Sequence, residues 1–368
     1  MTDKNMILVL PCMTALPASQ TLRSAASVPS LRRVAFILAL AILISAQGAA
    51  AGRSNQGSAP WSITAPETGL PGDCILVDFT STTPLSNGSV ALRNKAGTVI
   101  ARAQAFAAKL PAPQAQASSP QPATSGQAAP GGQVTPVTQS AVCATRLIAL
   151  VALPSTLKPG DYALEAFALS GTEAITAQTA LAVEAKAFTE EKIDLNDANT
   201  GIKTDLGPER LAQIATFNRL ISTIDSASPR YSGPFKPPVA SKRMTAGYGD
   251  RRTYRYSNGK SELAVHYGID YGVPTGTPLF AAGDGRVVWA ESRISTGWTV
   301  IIEHLPGVYS LYYHLDALTC STGESVRAGT LIGRSGMTGL ATGPHLHHEW
   351  RVNGEAVSPA WFLGRKIY

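Results

Sequence analysis

All six histidines of this chain fall between residues 266 and 348, and the 265 residues before them contain none. Three short segments carry the side chains that suit a metal hydrolase. They are His266-Tyr267-Gly268-Ile269-Asp270, Tyr312-Tyr313-His314-Leu315 and Gly343-Pro344-His345-Leu346-His347-His348-Glu349. Spacing gives them geometry. Successive side chains of a strand point to opposite faces, so His345 and His347 share a face and His348 points away. Gly268, Gly272 and Pro274 argue against a helix through the first segment. On an extended segment, His266 and Asp270, four apart, again share a face. An imidazole pair and a carboxylate brought together form the three-ligand site of a catalytic zinc, with one position left for water. The cation turns that water into a nucleophile near neutral pH. A lone His-x-His or His-x-x-x-Asp is a weak signal. Both together, with a third histidine strand, point to a metal site. His304 reads as a strand-end residue without a metal role, and His348 as a packing or solvent-facing residue.

These residues need a scaffold, and the scaffold reads as β. From Met244 onward, short β runs alternate with turn glycines: RVVWA (286–290), WTVIIEH (298–304), YSLYYHL (309–315), TLIGRSG (330–336) and HLHHEWRV (345–352). The expectation is a compact antiparallel β domain over residues 241–368. Upstream, CILVDF (74–79), SVALRN (89–94), RLIALVAL (146–153) and DYALEAFAL (161–169) are separated by Pro71-Gly72, Asn87-Gly88 and Lys158-Pro159-Gly160. That pattern suits an immunoglobulin-like β-sandwich over residues 52–188. A stretch rich in Pro, Ala, Gln and Ser, residues 111–133, interrupts it and cannot bury a core, so a disordered loop is expected there. Residues 189–240 form a helical linker. Pro208 to Ile224 has Ile214, Phe217, Ile221 and Ile224 spaced for one face of a helix. It either connects the halves or packs over the C-terminal domain, where it would position or block a cleft. The fold class is mainly β.

Residues 1–51 read as a secretory signal peptide. Arg32-Arg33 precedes the apolar run 34–45, and Ala49-Ala50-Ala51 offers a cleavage site. The run is shorter than the ~20 apolar residues a membrane span needs, which favours cleavage over an uncleaved anchor. Export places Cys74 and Cys143, on either side of the low-complexity stretch, where oxidation can join them; Cys320 is expected to stay free. None of the four cysteines forms a CxxC pair. The formal charge of +6 suits an anionic surface. No cluster of Lys and Arg alternates with aromatics, so nothing points to nucleic acid.

From Gly247 to Pro359 the chain resembles the lysostaphin-like (LytM-type) zinc endopeptidases of bacterial cell walls. The resemblance is carried, in order, by GYGDR, HYGIDYGVPTGTPLFAAGDGRVV, GWTVIIEHLPGVYSLYYHL, VRAGTLIGRSGMTGLATGPHLHHE and VNGEAVSP. It implies that His266, Asp270 and His347 are Zn2+ ligands, and that His345 with His314 handles protons beside the metal and stabilises the tetrahedral intermediate. It also implies hydrolysis of peptide bonds in peptidoglycan, in the periplasm or outside the cell. Two departures stand out: His348 replaces the aromatic usual after HLH, and an insertion, TYRYSNGKSELAV, precedes His266. A non-catalytic module that binds wall or activates other hydrolases is the alternative, but such modules lose ligands and all five residues are present here. A peptidase acting on a non-wall protein is the third reading.

Overall fold

The computed structural model describes residues 61–108, 145–225, 228–229 and 231–368, all within one compact unit, Ala59–Tyr368. The expected signal peptide, the 111–133 loop and Cys143 lie outside the described residues. The chain is mainly β.

Among the described residues the first nine strands are β1 (Trp61–Thr64), β2 (Thr68–Gly69), β3 (Cys74–Ser81), β4 (Leu85–Asn94), β5 (Val99–Gln104), β6 (Phe106–Ala107), β7 (Thr145–Ala152), β8 (Gly160–Ser170) and β9 (Glu173–Val183). They form two sheets, β1-β3-β7-β6 and β2-β9-β8-β4-β5. Alternation along β3 sends Ile75, Val77 and Phe79 to the core between the sheets, where Val90, Leu92, Leu164 and Leu181 meet them. The other face of this sheet is apolar too. Cys74, Ile148, Leu150 and Ala152 pack against Phe235, Leu305, Val308, Trp350, Val352, Val357, Phe362 and Ile367. Burial on both faces explains why β7 reads as an unbroken apolar run rather than an alternating one. Cys74 is buried within this second core, and Cys143, its expected disulfide partner, lies outside the described residues.

The linker contains more structure than its sequence suggests. β10 (Glu190–Asp194) is followed by helix α1 (Asp197–Thr204) and helix α2 (Pro208–Ile221). Asn196 caps α1 by accepting from the Asn199 amide, and Pro208 opens α2, where no intrahelical donor is needed. Phe217 and Ile221 are buried against Ile301, Tyr309 and Leu311. Ile224, expected on the same face, lies past the helix end and is exposed.

The remaining strands are β11 (Met244–Ala246), β12 (Arg251–Arg255), β13 (Ser261–Val265), β14 (Gly268–Tyr271), β15 (Pro278–Phe280), β16 (Gly285–Arg293), β17 (Gly297–Leu305), β18 (Val308–Leu318), β19 (Ser325–Val326), β20 (Leu331–Ser335), β21 (Leu346–Val352) and β22 (Glu355–Val357), before a single turn, α3 (Pro359–Phe362). The main sheet runs β11-β14-β21-β18-β17-β16-β19, antiparallel throughout. The residues inserted before His266 form the hairpin β12–β13, and β10 adds to it in parallel as a third strand.

Candidate metal centre

Register assembles the centre. Asp270 on β14 is the cross-strand partner of His347 on β21, and His347 is the partner of Tyr313 on β18. Partners in register face the same side, so the three side chains stand in one row across the sheet. His266 lies in the extended link before β14 and closes the group. Its Nε2 is 3.0 Å from Asp270 Oδ1 and 3.0 Å from His347 Nδ1, and His347 Nδ1 is 2.9 Å from the same Oδ1. Gly268 makes room: a Cβ there would sit 2.7 Å from His347 Nε2 and 2.4 Å from the His348 carbonyl oxygen.

The outward atom of each residue is already committed. His266 Nδ1 donates to the Gly247 carbonyl at 2.7 Å. His347 Nε2 faces the Glu349 carboxylate at 3.4 Å. Asp270 Oδ2 accepts from Arg252 Nη2 at 2.8 Å, and Arg252 in turn holds Glu191 of β10. Such outer partners fix a histidine tautomer. With their protons directed outward, the two imidazoles and Asp270 Oδ1 present three lone pairs to one point. That arrangement is stable only around positive charge. The same pull acts on protons. Burial lowers His347, but the Asp270 and Glu349 carboxylates outweigh it and lift its pKa to about 9. Burial would raise Asp270, yet the facing His266 and His347 rings hold its carboxyl well below the usual range. His266 is pushed down by burial. A tetrahedral zinc with bonds of ~2.0–2.1 Å spaces its ligand atoms by ~3.3 Å, so a set already within 2.9–3.0 Å fits with a small outward relaxation.

His345 and His314 lie beside this group. His345 Nδ1 donates to the Gly343 carbonyl at 2.8 Å, and its Nε2 is 3.7 Å from Asp270 Oδ1. His314 Nδ1 donates to the Thr338 carbonyl at 2.7 Å. The two rings are 4.7 Å apart. Simple alternation would turn His314 away from Tyr313 and the site. Instead, the register of β17 against β18 shifts between Trp298↔Leu315 and Val300↔Tyr312, and His314 takes φ +64°. This bulge brings the imidazole back to the face of His347. A non-glycine residue held there costs on the order of 1 kcal/mol. Burial drives the His314 pKa down to about 3, so the ring is neutral. The other two histidines serve the core. His304 Nδ1 donates to the Asp284 carbonyl at 2.8 Å and its Nε2 lies 2.7 Å from Ser310 Oγ, and His348 Nε2 accepts from the Trp350 indole at 2.9 Å.

Sequence reasoning did not assign roles to Gly247, Arg252, Glu349, Tyr313 or Thr338. Glu349 stands two residues after His347 and therefore on its face, which is a legible signal. Tyr313 stacks on His347 at 5.0 Å with rings 2° from parallel, and only the β18–β21 register reveals it.

Residues 264–359 match the family model described as Peptidase family M23, and His266, Asp270, His314, His345 and His347 all lie inside the match. The C-terminal part of the chain belongs to that family. Among curated relatives, this M23 segment is similar to the DD-carboxypeptidase/endopeptidase Mpg of Neisseria meningitidis serogroup B, 40% identical over 122 residues, which are 33% of this chain and 27% of Mpg. It is similar to the peptidoglycan DD-endopeptidase ShyC of Vibrio cholerae, 37% identical over 124 residues, covering 34% of this chain and 28% of ShyC. The chain thus spans less than a third of the length of these relatives. Among solved structures, it is similar to the catalytic domain of lysostaphin from Staphylococcus simulans, 32% identical, covering 33% of this chain and 91% of that one, with a TM-score of 0.28.

Proposed function

We propose that the protein is an exported zinc metalloendopeptidase that hydrolyses peptide bonds in peptidoglycan during cell-wall remodelling. The observation that carries this reading is the convergence of three lone pairs from His266, Asp270 and His347 beside two further imidazoles in one cleft of about 550 Å³. The name of the similar ShyC, a peptidoglycan DD-endopeptidase, supports the substrate. The apolar run 34–45 supports export.

In this reading His266 Nε2, His347 Nδ1 and Asp270 Oδ1 would hold the zinc, which would supply Lewis acidity to a water and to the scissile carbonyl. The remaining work belongs to side chains. His345 turns its Nε2 toward the site, with its Nδ1–H committed to the Gly343 carbonyl. It takes a proton from the attacking water and returns it to the leaving amine. His314, neutral and locked by Thr338, is the second acceptor that orients the nucleophile. Arg252 keeps Asp270 turned inward, and Glu349 with Tyr313 fixes the His347 ring.

Purified zinc-loaded protein incubated with sacculi, with the soluble products identified by mass spectrometry, tests the proposal. Cross-linked peptides should be cut, and a chelator should stop the reaction. Intact cross-links after incubation with protein carrying one zinc per chain would overturn it.

A further inference from the structure

One wall of the cleft comes from outside the main sheet. The hairpin β12–β13 and helices α1 and α2 contribute Lys203, Arg210, Tyr254 and Glu262 to the same cleft as His266, His345 and His347. The charges on this wall are unequally matched. Lys203 Nζ sits 2.8 Å from Glu262 Oε1 and 5.2 Å from the centre of the Tyr254 ring. The Tyr256 hydroxyl donates to the other Glu262 oxygen, so each oxygen of that carboxylate already accepts one hydrogen bond. Arg252 is spent on Glu191 and Asp270. Arg210 is different. Its Nη1 donates to the Asp205 carbonyl, which ties the side chain down. Among the described residues no carboxylate lies within ion-pair distance of its guanidinium, and its Nε is buried with no hydrogen-bond partner.

A guanidinium carries five donors in a planar fork that matches a carboxylate. A buried N–H without a partner costs about 1–3 kcal/mol, and a cleft that keeps one is arranged for an acceptor arriving from outside. Glu262 attracts Arg210 along this wall without an ion-pair contact, its two oxygens already accepting from Lys203 and Tyr256.

We infer that Arg210 is a specificity-determining residue whose guanidinium receives a carboxylate of the substrate, so that the cleft selects acidic peptides. Lys203 beside it is neutralised by Glu262, which leaves Arg210, among the described residues, as the cation without an ion-pair partner on this wall. The inference rests on the proposed peptidase reading, and it deepens that reading by naming the charge the substrate must carry. It also gives the linker a function: α2 supplies a substrate contact to a centre built on β14, β18 and β21.

The test uses the zinc-loaded full chain and two probes: a cross-linked muropeptide dimer with free carboxylates, and the same dimer with those carboxylates amidated. The wild-type protein should favour the free acid in kcat/KM by roughly 10–100-fold, the value of a charge-assisted hydrogen bond, with most of the difference in KM. Arg210→Gln should bring the ratio of the two substrates close to one, and Arg210→Lys should restore part of it. Calorimetric binding of both dimers, read beside turnover, separates the two proposals. Tighter binding of the free acid that Arg210→Gln abolishes supports the carboxylate subsite, even if neither dimer is cut and the peptidase reading falls. Equal binding and equal turnover of the two dimers by the wild-type protein overturns it, whether or not the variants fold.

Discussion

The two β regions are built by the same rule and differ in what they bury. In residues 61–183 the fully buried positions are apolar apart from Ser81 and Ser155. In residues 244–358 the buried set includes Asp250, His266, Asp270, Arg293, Glu303, His304, His314, His347, His348 and Glu349. Burying a titratable side chain is costly unless it is paired. The N-terminal sandwich accepts none of that cost and gains only stability from its core. The C-terminal sheet bears it at many positions, and the partners that offset it are the ones that orient the candidate metal ligands. The contrast shows where strand geometry serves the fold and where it serves chemistry.

The largest effect should follow from removing a ligand. His266→Ala, Asp270→Ala or His347→Ala should lower bound zinc, measured by elemental analysis, to a small fraction of one equivalent and bring peptide hydrolysis to background. Next come the two imidazoles beside the ligands. His345→Ala and His314→Ala should retain zinc near one equivalent and lose rate by about 10²–10⁴-fold. Loss of metal in His345→Ala with retention in His347→Ala would reverse the assignment of the pair. Leu164→Ala probes the other region. It should cost about 2–5 kcal/mol in denaturant unfolding, with zinc content and rate per folded molecule unchanged, since Leu164 belongs to the core between the N-terminal sheets. A loss of zinc in that variant would erase the contrast drawn above.

The smallest effect concerns His304, buried in the C-terminal region but away from the ligands. Burial lowers its pKa to about 4. The unfolded chain, titrating near ~6.5, takes up this proton first as pH falls, so the folded state should lose stability from pH ~6.5 downward until the folded pKa is reached. The loss attributable to His304 should be about 1–2 kcal/mol between pH 6.5 and 5. In His304→Gln, unfolding curves at the two pH values should lie closer together than in the wild-type protein. Equal spacing would mean that His304 is already charged in its buried site.

The sequence made the centre legible because a strand is periodic. His345 and His347 share a face by alternation, and Asp270 lies in register with His347, so spacing alone recovers much of the geometry. His314 escapes this logic. Its position on the site face depends on a bulge and a positive φ that no pattern of residue types in YSLYYHL announces. Strand β9 was also hidden. EAITAQTALAV is rich in Ala and Thr, and only Ile175, Leu181 and Val183 are buried along it. Helix α1 is eight residues long and held by a cap and by docking, too short for a periodic signature. Arg252, which bonds Asp270 across the sheet edge, stands eighteen residues before it, just ahead of the segment that reads as an insertion.

The sheet β1-β3-β7-β6 has no wet face at β7: Ala149 and Val151 belong to one core, and Ile148 and Leu150 to another. The second core is completed by Trp350, Phe362 and Ile367, roughly two hundred residues further along the chain. During synthesis, then, the early strands have their inner side closed long before the outer side finds its cover. The half that comes first is left with an adhesive flank, and the half that comes last relieves it. Neither can be lifted away without tearing open a surface of the other, and the chain should melt as one cooperative body rather than as two beads on a string.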